Sequence, residues 1–202
     1  MRANLKIRRQ RIRRRASYAA PAPLRILPME SIEALYRFNV GRAHDINEHL
    51  PTLRELAATC PRVVELGFRT GRSTSAFLAG GAESVTVYDV HPCADHRAEF
   101  ERLAPGRFTF HLGDSRTVEI EEHDLLFIDS YHSGAQLRAE LNKHEAKVKE
   151  LIVMHDTVTF GEKGEDGKQG LWPVITQFCV DYEWTMVEHY KNNNGLTVLG
   201  RR

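Results

Sequence analysis

From residue 62 to residue 155, short runs of Val, Ile, Leu and Phe alternate with longer stretches whose apolar residues recur at helical spacing. The runs are residues 62–66, 84–90, 107–112, 124–128 and 151–155, and they are apolar on both faces. Strands buried on both sides of a parallel sheet have that character. Between the fourth and fifth runs, Leu137, Leu141, His144 and Val148 form one helical stripe. After the fifth, Leu171, Val174, Ile175, Phe178 and Cys179 form another, with Pro173 in a first turn where its missing N–H costs little. This alternation predicts an α/β fold with a Rossmann-like, doubly wound sheet. The end of the chain breaks the pattern. Residues 184–190 and 196–200 read as strands joined through Asn194-Gly195, a hairpin signal. Five parallel strands plus a C-terminal antiparallel hairpin make a seven-stranded sheet, which a dinucleotide-binding half would not have.

Residues 30–59 read as helical. Ser31 caps a turn through Ile32, Leu35 and Phe38, and a second segment carries Ile46, Leu50, Leu53, Leu56 and Ala57, interrupted by Pro51. Such helices cover a sheet end or a substrate entrance. Residues 1–29 differ in kind: they contain no acid and end in an Ala19-Ala20-Pro21-Ala22-Pro23 linker. The division is therefore a basic arm over 1–29 and one folded domain over 30–202.

Charge sharpens that division. The formal net charge is +1, but residues 1–15 hold eight of the 28 basic residues, leaving 20 against 27 acids in the rest. Three readings of the arm compete: a charged tail that docks nucleic acid through residues 1–15, an Arg-rich organelle transit peptide, or a solvated tail. The chain of 202 residues is 42% hydrophobic, enough to bury a core, yet no apolar run approaches the roughly 20 residues of a membrane span. Cys60, Cys93 and Cys179 are odd in number and form no CxxC, so no disulfide framework or zinc knuckle is indicated. A reducing, cytoplasmic setting fits, with an organelle the alternative if 1–29 is a transit peptide. A homo-oligomer is compatible with all of this.

In doubly wound sheets ligands sit beyond the carboxyl ends of the strands. The first run is followed by Glu65-Leu66-Gly67-Phe68-Arg69-Thr70-Gly71-Arg72-Ser73, whose glycines permit a sharp turn and close ligand approach. Its GxxxG spacing is not the dinucleotide GxGxxG. Asp89 ends the second run, about 20 residues on, where a carboxylate can accept from ribose hydroxyls. The third run ends in Gly113-Asp114-Ser115, suited to an adenine edge, the fourth in Asp129-Ser130-Tyr131-His132 and the fifth in His155-Asp156-Thr157. Polar residues after all five strands point to one nucleoside-binding cleft.

These residues resemble the class I S-adenosylmethionine-dependent methyltransferases, especially small O-methyltransferases of the catechol and macrocin O-methyltransferase type. The resemblance covers about residues 60–202 and is carried best by Glu65-Leu66-Gly67…Gly71-Arg72-Ser73. It implies Glu65, Gly67, Gly71 and Ser73 around the methionine moiety of S-adenosylmethionine, Asp89 on the ribose, Asp114 and Ser115 around the adenine, and Asp129 nearby. The family's metal-dependent members imply a Mg²⁺ site on Asp129 and Asp156, with Thr157 where an Asn is usual. His132 falls where some relatives carry a catalytic lysine. A neutral imidazole there is the expected general base, with Asp129 beside it. His155 is a further base or metal ligand, and His144 on its buried stripe is structural. Residues 160–170, with four glycines and five charges, are expected to form a flexible loop over the site. Trp172 at its edge is either a cover for the acceptor or a core residue.

The leading expectation is O-methylation of a small-molecule or sugar hydroxyl. The alternatives are a nucleic-acid methyltransferase docking through its arm and a non-catalytic nucleoside-binding relative. Against the first of these, amino-methylating enzymes carry an Asn/Asp-Pro-Pro-aromatic motif where this chain has Ile128-Asp129-Ser130-Tyr131.

Overall fold

A computed structural model describes residues 29–201. The expectations for the arm therefore lie outside the described residues, apart from Met29. Its backbone N–H donates to Glu99 at 3.2 Å and its carbonyl accepts from Arg102 at 2.7 Å.

Seven strands form one sheet in the order β3-β2-β1-β4-β5-β7-β6. They are β1 (Arg62–Leu66), β2 (Ser84–Asp89), β3 (Phe108–Leu112), β4 (His123–Ile128), β5 (Val148–His155), β6 (Trp184–Tyr190) and β7 (Leu196–Arg201). The first five are parallel; β7 inserts antiparallel between β5 and β6. Six helices cover the sheet: α1 (Ile32–Val40), α2 (Leu50–Ala57), α3 (Arg72–Ala79), α4 (Ala94–Leu103), α5 (Gly134–His144) and α6 (Trp172–Asp181).

The two-residue period of the strands divides the core into two layers. Val63, Leu125, Phe127 and Val153 face α1 to α4, together with Leu35, Leu53, Phe77 and Phe100. Their neighbours Val64, Leu126, Ile128, Ile152 and Met154 face α5 and α6, meeting Leu137, Leu141, Ile175 and Phe178. Both layers are sealed. Phe77 and Phe127 meet edge-on with ring centres 5.4 Å apart, and truncating such a buried ring to Ala costs about 3–5 kcal/mol.

Local chemistry sets the element ends, sometimes differently from the expectation. Ser31 caps α1 by accepting the Ala34 N–H at 3.1 Å. Pro51 does not interrupt a helix; it lies in the first turn of α2, where proline is tolerated. Val148 opens β5 rather than extending the α5 stripe, because a 3-10 turn at Glu145–Lys147 ends that helix. The hairpin loop has five residues, with Asn193, Asn194 and Gly195 at positive φ, so Asn194-Gly195 forms only its last part. Residues 160–170 pack rather than dangle. Gly161, Gly164 and Gly170 are buried, and Lys163 pairs with Gln169 as an isolated bridge. Among the described residues, no helix is long and apolar enough to cross a membrane.

Candidate active site

Strand order reverses between β1 and β4, and at that point two strand ends are pinned together. Gly67 N–H donates to Tyr88 O at 2.9 Å and Asp129 N–H to Leu66 O at 2.9 Å. Gly67 has φ +98°, and a Cβ there would stand 2.1 Å from the Asp129 carbonyl oxygen. Gly71, at φ +72°, is packed against the rings of Phe68 and Phe100. Both glycines are thus required by the turn itself.

Beyond these strand ends lies a cavity of about 640 Å³, lined by the turns after β1 to β5. That volume is within the usual range for small-molecule sites. At one end, Asp89 organises the turn after β1: its Oδ2 accepts from Phe68 N–H at 2.8 Å and Arg69 N–H at 3.0 Å, and its Oδ1 from His91 N–H at 2.8 Å. Further along the wall, Asp114 is paired with Arg116 at 2.6 Å, which holds its carboxyl below the usual range. Ser115 and Ser130 both donate to Glu140 Oε1, at 2.5 and 2.6 Å, and Gln136 donates to the same oxygen at 2.8 Å. Burial raises the Glu140 pKa, which those hydroxyls and the amide oppose.

At the other end, four ionisable groups meet. His132 Nε2 lies 3.2 Å from Asp129 Oδ1 and 3.0 Å from Asp156 Oδ2. His155 Nδ1 lies 3.4 Å from each of the same two oxygens. Burial would depress both imidazoles, but the paired carboxylates outweigh it and hold both rings well above the usual histidine range. The Asp129 carboxyl is correspondingly held far below its ordinary value, burial being outweighed by the two histidines beside it. Phe160 stacks flat on His132 with ring centres 4.8 Å apart and fixes its plane. Asp156 adopts φ +59°, the left-handed region uncommon for a residue with a side chain.

Several expectations change here. Glu65, Gly71 and Ser73 do not line the cavity; they hold the turn from behind. Glu65 is fully buried and accepts from Ser73 and from Thr74 Oγ1, the latter at 2.5 Å. Burial pushes its carboxyl up to about 8, against those hydroxyls. Thr157 is not positioned as a ligand, because its buried hydroxyl accepts from Thr197 at 2.9 Å. Among the described residues, donor atoms of Asp129, His132 and Asp156 gather within 4.8 Å of one another. Nor is His132 the neutral base expected. Either a proton or a cation must separate its Nε2 from two carboxylates, and in neither state is the ring free to accept a proton. Trp172 faces away from the cavity, stacked on His189 at 4.6 Å. His144 is buried and bonded to the Ser115 carbonyl at 2.6 Å.

Other lining residues escaped the sequence reading. Asp45, from the segment between α1 and α2, joins the wall and pairs with Arg69 at 2.6 Å and Arg72 at 3.0 Å. Nothing in its sequence context marked it. Glu165, on the glycine-rich loop, faces His132 Nδ1 at 3.3 Å, and its own N–H donates to the His132 carbonyl at 2.7 Å. Glu140 did leave a trace, being a carboxylate next to Leu141 on the apolar stripe of α5.

Comparison with known proteins places this arrangement. Residues 64–157 match the family described as a methyltransferase domain, a span that runs from the middle of β1 through Asp89, Asp129 and Asp156. Over those residues the chain carries a methyltransferase domain. The fold of this methyltransferase is shared with an O-methyltransferase from Bacillus cereus in complex with SAH: TM-score 0.66, 19% identity, 85% of this chain and 90% of that one. It is shared also with the SAH-bound methyltransferase PaMTH1 of Podospora anserina: TM-score 0.64, 16% identity, 86% and 88% covered. A third likeness is the N-methyltransferase NodS of Bradyrhizobium japonicum, with TM-score 0.59, 17% identity, and 78% and 96% covered. At these identities what is shared is the fold, and the fold serves both oxygen and nitrogen acceptors. None of the curated proteins matches the methyltransferase's sequence.

Proposed function

We propose that the methyltransferase transfers a methyl group to a hydroxyl of a small molecule or sugar. The Asp129–His132–Asp156 cluster carries this reading, because it stands at one end of the cavity whose other end Asp89 and Asp114 define. The cavity's acidic lining suits a donor that bears a sulfonium cation. Asp89 faces the ribose hydroxyls while its backbone bonds fix the turn, and Ser115 and Gln136, clamped by Glu140, face the adenine.

S-adenosylmethionine supplies an activated methyl; its C–S bond breaks as the acceptor O–C bond forms, leaving a neutral thioether. The chain's own task is to hold the acceptor oxygen in line and let its proton depart. Two carboxylates and an imidazole fit a divalent cation, whose contribution when bound is to lower the acceptor hydroxyl's pKa. Asp129 and Asp156 would hold it. The acceptor proton leaves to solvent through the cavity, whose lining includes the half-exposed Glu165.

The reading is tested by incubating the full chain with S-adenosylmethionine and separate panels of hydroxyl and amine acceptors, with and without divalent cations, and measuring SAH. Turnover confined to hydroxyl acceptors and lost in Asp129→Ala is expected. Turnover on amines alone, or unaffected by Asp129→Ala, would overturn it.

A further inference from the structure

We infer that the acceptor end of the cavity is a histidine-ligated site for a first-row transition metal ion such as Mn²⁺ or Zn²⁺, and not a Mg²⁺ site. The inference rests on the methyltransferase reading of the cavity and adds the class of metal and the residues that select it.

The donor set is the first observation. Asp129, Asp156 and His132 present two carboxylate oxygens and one imidazole nitrogen within 4.8 Å of one another. Mg²⁺ prefers oxygen donors in a near-octahedral shell, whereas imidazole favours the later first-row ions. The only oxygen that sequence spacing offered as a third ligand, the Thr157 hydroxyl, is bonded to Thr197.

Separation is the second. The four nitrogen–oxygen distances in the cluster run from 3.0 to 3.4 Å. Ligand bonds of about 2.1 Å place neighbouring donors roughly 3.0 Å apart in an octahedron and roughly 3.4 Å apart in a tetrahedron. The nitrogen–oxygen separations are thus compatible with such a shell.

The third is the way each ring is held from behind. His132 turns Nδ1 toward the Glu165 carboxylate at 3.3 Å, and His155 turns Nε2 toward the Asn193 carbonyl at 3.2 Å. Both partners are acceptors, so each far nitrogen keeps its proton, and a cation between the carboxylates would take the place of the proton on each near nitrogen. Carboxylate- or carbonyl-backed imidazoles are the usual arrangement around a bound metal. His155 adds an independent sign: it is 2% exposed, and its Nδ1 has no hydrogen-bond partner. A nitrogen buried opposite two anionic oxygens calls for positive charge between them, which a bound metal ion would supply. Glu165 is then a positioning residue, acting through His132.

The test uses the full chain, stripped by chelation, and titrates Mn²⁺, Zn²⁺ and Mg²⁺ separately by calorimetry, with SAH affinity measured on the same samples. One Zn²⁺ or Mn²⁺ per chain is expected, at least a hundredfold tighter than Mg²⁺. Because Zn²⁺ exceeds Mg²⁺ at most sites, the deciding quantity is how the Zn²⁺/Mg²⁺ ratio changes in His132→Asn, where an amide oxygen replaces the nitrogen. A fall of at least tenfold is expected, and pulsed EPR of the Mn²⁺ form should show imidazole ¹⁴N coupling that weakens in His132→Asn and His155→Ala. Glu165→Gln should weaken Mn²⁺ several-fold, with a smaller change in SAH affinity. A ratio unaltered by His132→Asn, absence of ¹⁴N coupling, or no metal binding would overturn the inference. Intact SAH binding in that case would leave the methyltransferase reading standing; loss of SAH binding by the wild-type chain would remove both.

Discussion

Gly67 and Asp129 touch across the point where strand order reverses: a Cβ on Gly67 would stand 2.1 Å from the Asp129 carbonyl oxygen. The turn after β1 and the strand end that carries the acidic cluster are therefore one rigid unit. Gly67→Ala must push them apart, in addition to adopting φ +98° with a side chain. SAH affinity should fall at least tenfold and the melting temperature should drop. Gly81→Ala is the control, since Gly81 has φ +99° but no heavy atom within 4 Å of its added Cβ. It should cost only the backbone strain, about 1 kcal/mol, and leave SAH affinity unchanged in calorimetry.

Asp89 has two tasks, and a substitution separates them. Asp89→Asn keeps one acceptor oxygen but places an NH₂ where the carboxylate now accepts from three backbone N–H groups. A roughly 10- to 100-fold loss of SAH affinity is expected, with a smaller effect on stability because Asp89 and Arg69 keep contact with solvent. Titration calorimetry and a thermal melt on one preparation measure both.

Glu65 gives the stability a pH dependence. Its folded-state pKa of about 8 lies above the ordinary 4.5, so the folded chain binds the extra proton between those values. Stability from this group must fall as pH rises through that window. Glu65→Gln keeps a neutral side chain of the same shape. It should melt close to wild type at pH 5 and at a higher temperature than wild type at pH 8.5. A variant less stable than wild type at pH 8.5 would show that Ser73 and Thr74 need the charged form.

Glu140 should matter to the donor without touching it. Its Oε1 gathers Ser115, Ser130 and Gln136, while its Oε2 has no partner. Glu140→Gln should preserve the clamp with at most a few-fold change in SAH affinity. Glu140→Leu strands three polar groups, each costing about 1–3 kcal/mol, and should reduce both the melting temperature and SAH affinity.

The two-sided apolar runs disclosed the five parallel strands because a doubly covered sheet leaves no polar face to disguise them. Val148 was misread because it stands four residues beyond His144, and spacing alone cannot see the 3-10 turn that separates helix from strand. Asp129, Asp156 and Asp89 were legible because they directly follow apolar runs, which fixes their place at the strand ends. The direction of a side chain was not. Adjacent residues after β5 diverge, so Asp156 enters the cluster while Thr157 turns to Thr197, and only the fold brings His132 to Asp156. Asp45 and Glu165 arrive from segments whose placement depends on packing rather than pattern.

The central claim is that the turn after β1, held by Asp89, seats the nucleoside of the methyl donor. It is tested most directly by soaking crystals of the full chain with SAH. Density is expected along the cavity, with the ribose within hydrogen-bond distance of Asp89 and the sulfur toward Asp129. SAH bound elsewhere with this cavity closed, or no binding at saturating concentration, would contradict it.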